Sequence, residues 1–249
     1  MQQSNTYIIV FTAIMTVIVG GLLSMASQIL GPAQKKSIEL DTKSSILNAV
    51  MTLEQGDDVL AIYDKRIQSL VVDIDGKEIT TNAKGGEMVA EEVSILKNYK
   101  KDPSERAYPV FKFINEQDPN KVDAYILPLY GNGLWDKIWG YIALDEKCET
   151  IVGISLDHKQ ETPGLGARIR DKQIQDRYKG KSIYNEAGEL VSVEMIKGEK
   201  GEPLDANHVD GMSGATLTGK GVNTMLKSYL TSYKAYFDKV NSGEAQASL

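Results

Sequence analysis

The segment Asp210-Gly211-Met212-Ser213-Gly214-Ala215-Thr216-Leu217-Thr218 places small residues and hydroxyls directly before an amphipathic run. Gly211, Ser213, Gly214 and Ala215 leave the backbone open to a close-packed ligand. A helix beginning near Thr218 would turn free N–H groups and the positive end of its dipole toward this loop, which suits a phosphate. The same residues also suit a glycine-rich turn with Thr216 or Thr218 as helix cap, and residue types alone favour that plainer reading. A threonine hydroxyl is a poor nucleophile without a base or metal to activate it. The nearest histidine, His208, lies eight positions before Thr216, so self-modification has no support.

Two further segments carry candidate chemistry. In His158-Lys159-Gln160-Glu161-Thr162-Pro163-Gly164-Leu165-Gly166, the two glycines suggest a dinucleotide loop, but Ile169 stands where a third glycine belongs. Pro163-Gly164 alone marks a type II turn. Leu127-Pro128-Leu129-Tyr130-Gly131-Asn132-Gly133-Leu134-Trp135, leading to Trp139-Gly140-Tyr141, reads as strand, turn and strand with aromatic core residues. His158 and His208 are the only histidines and Cys148 the only cysteine. A metal site, a disulfide and an iron–sulfur cluster are therefore not expected, and Cys148 reads as a partly buried small residue.

These segments resemble, in order, the signatures of the FMN-binding domain family. DGMSGAT resembles its flavinylation motif, in which an aspartate precedes a Ser/Thr-Gly-Ala-Thr run and the last threonine carries FMN through a phosphoester. The resemblance makes Thr216 that threonine, with Asp210, Ser213, Gly214 and Ala215 as recognition elements. ETPGLG resembles the signature that packs on the isoalloxazine ring. Glu161, Thr162, Leu165 and Gly166 are the implied wall, Leu165 as an apolar face and Thr162 as a hydrogen-bonding group at the ring edge. PLYGNGLW resembles the branch formed by the C subunits of sodium-translocating NADH:quinone oxidoreductases, which puts Leu134 and Trp135 near the flavin. Lys197 takes the place of a lysine that stabilises negative charge on a reduced ring. The resemblance implies no catalytic residue in the subunit itself.

The elements that position these residues begin with a span. No charged side chain occurs from Met1 to Pro32, and Tyr7 to Leu30 is an apolar run of roughly 24 residues where about 20 cross a bilayer. Without a basic start or a short apolar core, it reads as a retained anchor rather than a cleaved leader. Gly31-Pro32 is expected to stop that helix. A six-residue tail precedes it, a connecting helix follows over 31–55, a soluble domain occupies 56–241, and a frayed tail ends the chain at 242–249. Within the domain, the patterns predict a helix over Val59–Ser69 and a strand over Leu70–Ile74. A turn follows at Asp75-Gly76, then a loop and a polar helical stretch over Ala83–Glu92. Further strands are expected at Tyr108–Ile114, Val122–Leu129 (closed by Tyr130-Gly131-Asn132-Gly133), Ile138–Leu144 and Thr150–Leu156. Val222, Leu226, Tyr229, Tyr233 and Phe237 recur at helical spacing. The fold class is α+β: one transmembrane helix plus a soluble domain of antiparallel strands with flanking helices.

A net charge of -6 without a basic run gives nucleic-acid binding no electrostatic support. The resemblance implies covalent FMN as cofactor. It implies the other subunits of the membrane complex, a flavin transferase and membrane lipid as partners. It also implies a bacterial inner-membrane location with the soluble domain on the periplasmic side. Lys35, Lys36 and Lys43 after the span vote the other way, weakly, beside Glu39 and Asp41. The alternatives are the G subunit of the related Rnf electron-transport complex, and a flavin-free membrane-anchored adaptor. A hydrolase reading lacks both a triad and a GxSxG elbow.

Overall fold

The computed structural model describes residues 4–82 and 85–244, so part of the expected loop at Ala83–Glu92, the first three residues and most of the C-terminal tail lie outside the described residues. The chain divides into two units, 1–43 and 44–249. Helix α1 (Asn5–Asn48) begins in the first and ends in the second. In the first unit every large apolar side chain from Tyr7 to Leu30 is exposed. A helix apolar and exposed on all faces suits a hydrocarbon surrounding, and α1 is long and apolar enough to cross a membrane. The expected stop at Gly31-Pro32 does not occur, because Pro32 lies inside the helix. Proline removes one N–H, here the donor to the Gln28 carbonyl, at about 3 kcal/mol. The turns on both sides carry the helix across that gap.

In the second unit, α2 (Val59–Arg66) is capped by Asp58, whose side chain accepts from the Ala61 N–H at 3.1 Å. It ends three residues earlier than its pattern suggests. Ile67, Gln68 and Ser69 pair instead with Phe113, Lys112 and Phe111, so strand β1 is Ile67–Val72. Cross-strand pairing here overrides local helical spacing. A turn with Gly76 at φ +68° follows. After the short helix α3 (Ile95–Tyr99) come β2 (Tyr108–Ile114), β3 (Val122–Asn132), β4 (Lys137–Leu144) and β5 (Ile151–His158). The five strands form an antiparallel meander in sequence order. β3 runs through Tyr130-Gly131-Asn132, expected to close it, because these residues pair with Trp139, Ile138 and Lys137. Short helical turns then occupy Gly166–Arg170 and α4 (Lys172–Gln175). The two-residue strands β6 (Glu194–Met195) and β7 (His208–Val209) pair in parallel. Helix α5 (Thr216–Ser242) closes the fold, ending at Gly243 with φ +82°.

Alternation along β3 splits the core. Tyr125, Leu127 and Leu129 face α5 and join Val222, Leu226, Tyr229, Tyr233 and Phe237 in one cluster. Ala124 and Ile126 face the other way, where Ile46 and Leu47 of α1, Tyr63 of α2, Phe111 and Phe113 form a second. The Tyr233 hydroxyl donates to the buried Pro109 carbonyl at 2.6 Å, tying α5 to β2. Cys148 is fully buried within the α5-side cluster, at φ +55°. Burial, then the nearby Asp145 and Glu149 carboxylates, push its thiol well above the usual range, so it packs as an inert core residue.

Gly140 sits where β4 and β5 press closest. A Cβ there would stand 1.9 Å from the Ser155 carbonyl oxygen and 2.9 Å from the Leu156 Cα. Gly140→Ala should therefore force the two strands apart and lower unfolding free energy by about 3 kcal/mol, the upper end of overpacking costs. Denaturant titration of the full chain in detergent, followed by tryptophan emission, measures it.

Candidate functional site

The site grows from three loops that converge on the first turns of α5. The first is the connection between β3 and β4, carrying Gly133, Leu134 and Trp135. The second follows β5 and carries Glu161 to Gly166. The third is the loop 210–215. At their meeting point lies Glu161, buried to 6% exposure. One carboxylate oxygen accepts from the Trp135 backbone N–H at 3.0 Å, and the other accepts from the Thr218 hydroxyl at 2.7 Å. The Glu161 N–H donates to His158 Nδ1 at 3.2 Å, which fixes that ring nitrogen as an acceptor. A Cβ on Gly133 would stand 2.3 Å from one carboxylate oxygen, and a Cβ on Gly166 2.4 Å from the other. The glycines of two separate segments thus leave room for the same carboxylate.

Glu161 accordingly stands behind the expected wall, with its carboxylate turned toward Trp135 and Thr218. The apolar surface itself is Leu134, Trp135, Leu165 and Leu217, all exposed, with Trp135 at 69%. Its indole N–H donates to the Thr162 hydroxyl oxygen at 3.1 Å. Thr162 thereby orients the ring of Trp135 while its own hydroxyl proton remains available to a ligand. Leu165 leans over Gly214, where a Cβ would lie 2.8 Å from its Cδ2. Gly214 is also held at φ +76°, in the left-handed region that favours glycine.

α5 begins at Thr216, two residues before its expected start. The cap position is Ala215, which offers no side-chain hydrogen bond, so neither Thr216 nor Thr218 is the cap. Thr218 instead reaches Glu161. Thr216 is half-buried and lines an open cleft of about 440 Å³ together with Ala215, Met195, Lys197 and Lys220. Lys197 reaches the cleft because Asn223 pairs with β6 as a strand would, accepting from the Met195 N–H at 2.8 Å and donating to its carbonyl at 3.0 Å. A neighbouring cleft of about 390 Å³ is lined by Gly133, Leu134, Leu217, Tyr99 and Tyr130. Lys220 and Thr224 line both. Lys220 lies one helical turn after Thr216; no motif marks it, and only the i, i+4 spacing could have found it.

The loop 210–215 is braced from outside. Asp210 accepts from the Lys200 N–H at 3.1 Å and the Gly201 N–H at 2.7 Å. The Gly201 and Lys200 amides hold its carboxyl below the usual carboxylate range. Arg177 donates to the carbonyl oxygens of Asp210 at 3.1 Å and Gly211 at 2.6 Å, and to Glu199 at 2.7 Å. Arg168 meets Glu199 with two N–H groups, at 2.9 and 3.2 Å. Ser213 and Gly214 stay exposed. Arg177, held by Glu199 and through it by Arg168, therefore braces the loop before Thr216, and no motif marks any of the three. Their separations, 31 and 22 positions, give sequence reading no periodic signal.

Arg168 first, then Arg177, lower the Glu199 carboxyl from 4.5 to about 2. A folded-state value below the unfolded one stabilises the fold above pH 4.5, and that contribution fades as pH falls toward 2. Glu199→Gln should flatten the acid limb in that window relative to the native chain, with the two converging at pH 2. Unfolding midpoints measured across pH 2–5 check it.

The FMN-binding domain family matches residues 133–231, which include all three converging loops. A relative from Pseudomonas aeruginosa, the C subunit of a Na(+)-translocating NADH-quinone reductase, is 31% identical over 98% of this chain and 99% of its own length. Among solved structures, the C subunit of the same reductase from Parabacteroides distasonis is 31% identical with a TM-score of 0.69, covering 84% of this chain and 96% of its own. NqrC of Shewanella oneidensis is 28% identical with a TM-score of 0.67, covering 84% and 99%. Kinship that runs along nearly the whole chain, with a shared fold, means that this chain belongs to the family formed by the C subunits of the Na(+)-translocating NADH-quinone reductases.

Proposed function

We propose that this chain carries FMN covalently, through a phosphoester to Thr216, and relays single electrons toward quinone within a sodium-pumping NADH:quinone oxidoreductase. The observation that carries this reading is the placement of Thr216. It stands in the first turn of an amphipathic helix whose inner face is buried, at the edge of an open cleft, behind an exposed Ser213-Gly214 loop. The residues present fit the group. A threonine accessible to a modifying enzyme, a helix N-terminus for a phosphate, an apolar surface of Leu134, Trp135 and Leu165, and Lys197 in the same cleft meet each part of FMN.

FMN supplies the redox chemistry when bound, and the chain supplies position and electrostatics. Lys197 offers a positive charge to a ring that gains electrons. Leu134, Trp135 and Leu165 offer apolar contact, and Thr162 a hydroxyl proton at the ring edge. Asp210 holds the loop shape, while Ser213, Gly214 and Ala215 present it to a flavin transferase. α1 anchors the chain in the bacterial inner membrane with the domain on the extracytoplasmic side, where the other subunits of the complex and the bilayer lipid are its neighbours. Sodium transport belongs to the complex as a whole.

Intact mass and in-gel flavin fluorescence of the full chain, co-expressed with an active flavin transferase, test this. The native chain should gain one FMN less one water, and Thr216→Ala should gain nothing. An unmodified native chain under those conditions would leave the flavin-free adaptor as the better account. In loaded protein, Lys197→Met should keep the adduct but move the flavin midpoint potential to more negative values, read by spectroelectrochemical titration.

A further inference from the structure

Glu161 lies in the motif expected to touch the flavin, yet its geometry assigns it a different task. From its own loop, its two oxygens hold one backbone segment and one helix at once: the Trp135 N–H on the β3–β4 connection and the Thr218 hydroxyl two residues after Thr216. Both neighbouring glycines are needed for its passage. We infer that Glu161 is the positioning residue of the flavin site, setting the separation between the Trp135 wall and the Thr216 turn, and that its charge holds the flavin potential down. The second half rests on FMN being bound at Thr216.

The physical basis is twofold. Removing the carboxylate leaves the part-buried Trp135 N–H and the buried Thr218 hydroxyl without their acceptor, so both segments loosen. A negative charge fixed behind the Leu134, Trp135 and Leu165 surface would oppose electron uptake by FMN held there, and burial of Glu161 would magnify the effect. Gln separates the two effects. Its carbonyl oxygen can still accept from Trp135, and its amide can donate to the Thr218 oxygen once that hydroxyl rotates, so shape survives while charge is lost.

The experiment uses the full chain in detergent. In protein made without the transferase, hydrogen–deuterium exchange of the 133–135 amides should be at least tenfold faster in Glu161→Ala than in the native chain. In protein loaded with FMN and verified by mass, Glu161→Gln should retain the adduct and shift the midpoint potential to more positive values. Thr218→Val, which keeps the carboxylate, should not raise it. Unchanged exchange in Glu161→Ala, or an unchanged or more negative potential in Glu161→Gln, overturns the inference. Absence of any adduct on the native chain instead defeats the FMN reading, and the exchange measurement still decides the positioning role.

Discussion

The site depends on how closely α5 can approach the end of β3. Two constraints meet in its first turns. Thr216 stays half-exposed, while Thr218, Val222 and Met225 are buried against the sheet. Gly221 resolves the conflict: a Cβ there would lie 2.3 Å from the Asn132 carbonyl oxygen. Gly131 does the same from the strand, where a Cβ would stand 2.9 Å from the Met225 side chain. With both glycines in place, helix and strand approach almost backbone to backbone. The Thr218–Glu161 hydrogen bond then closes the contact at its open end. Side chains further along, including Tyr233 against Pro109, fix the helix axis, so the first turn inherits its direction from contacts far from the site.

That arrangement explains why the loop before Thr216 needs so much bracing. A helix start normally gains stability from a capping side chain, and Ala215 provides none. The loop's geometry is secured instead by Arg177 on its carbonyl oxygens, itself held by Glu199, and by the Lys200 and Gly201 N–H groups on Asp210. A network of two arginines and one carboxylate is more than a surface ion pair, because its members also hold backbone groups that would otherwise be unpaired. It leaves the exposed side of Ser213 and Gly214 free.

Sequence makes much of this legible where the signal is periodic or local. Strands stand where they are expected, at 108–114, 122–129, 138–144 and 150–156, with ends moved by three residues or fewer, and every α5 residue chosen by helical spacing is buried; the half-buried alternation expected of 108–114 is absent, since both faces of β2 are covered. Errors fall at boundaries where distant contacts decide. Ile67 to Ser69 look helical beside Tyr63 and Lys65, yet β2 recruits them into the sheet. Pro32 should break a helix in water, but α1 continues through it. The motif residues stand out in the sequence, but their roles separate only in three dimensions. Nothing in ETPGLG distinguishes Leu165, on the surface, from Glu161, beneath it. Arg168, Arg177 and Glu199 belong to no motif, and their association exists only once the chain has folded.

The openness of the clefts bears on why a covalent bond would be chemically useful here. A small molecule held by contact alone requires a concave site that covers most of its surface. Here the apolar surface is presented outward, with Trp135, Leu134, Leu165 and Leu217 all exposed. Enclosing a ring more deeply would protect it from release but would also place protein between it and an electron-transfer partner. A phosphoester at Thr216 separates the two demands. Retention would then come from the bond, leaving the walls only to orient the ring. The shallow site around Leu134 and Trp135 is then a geometry that a covalent tether would make sufficient.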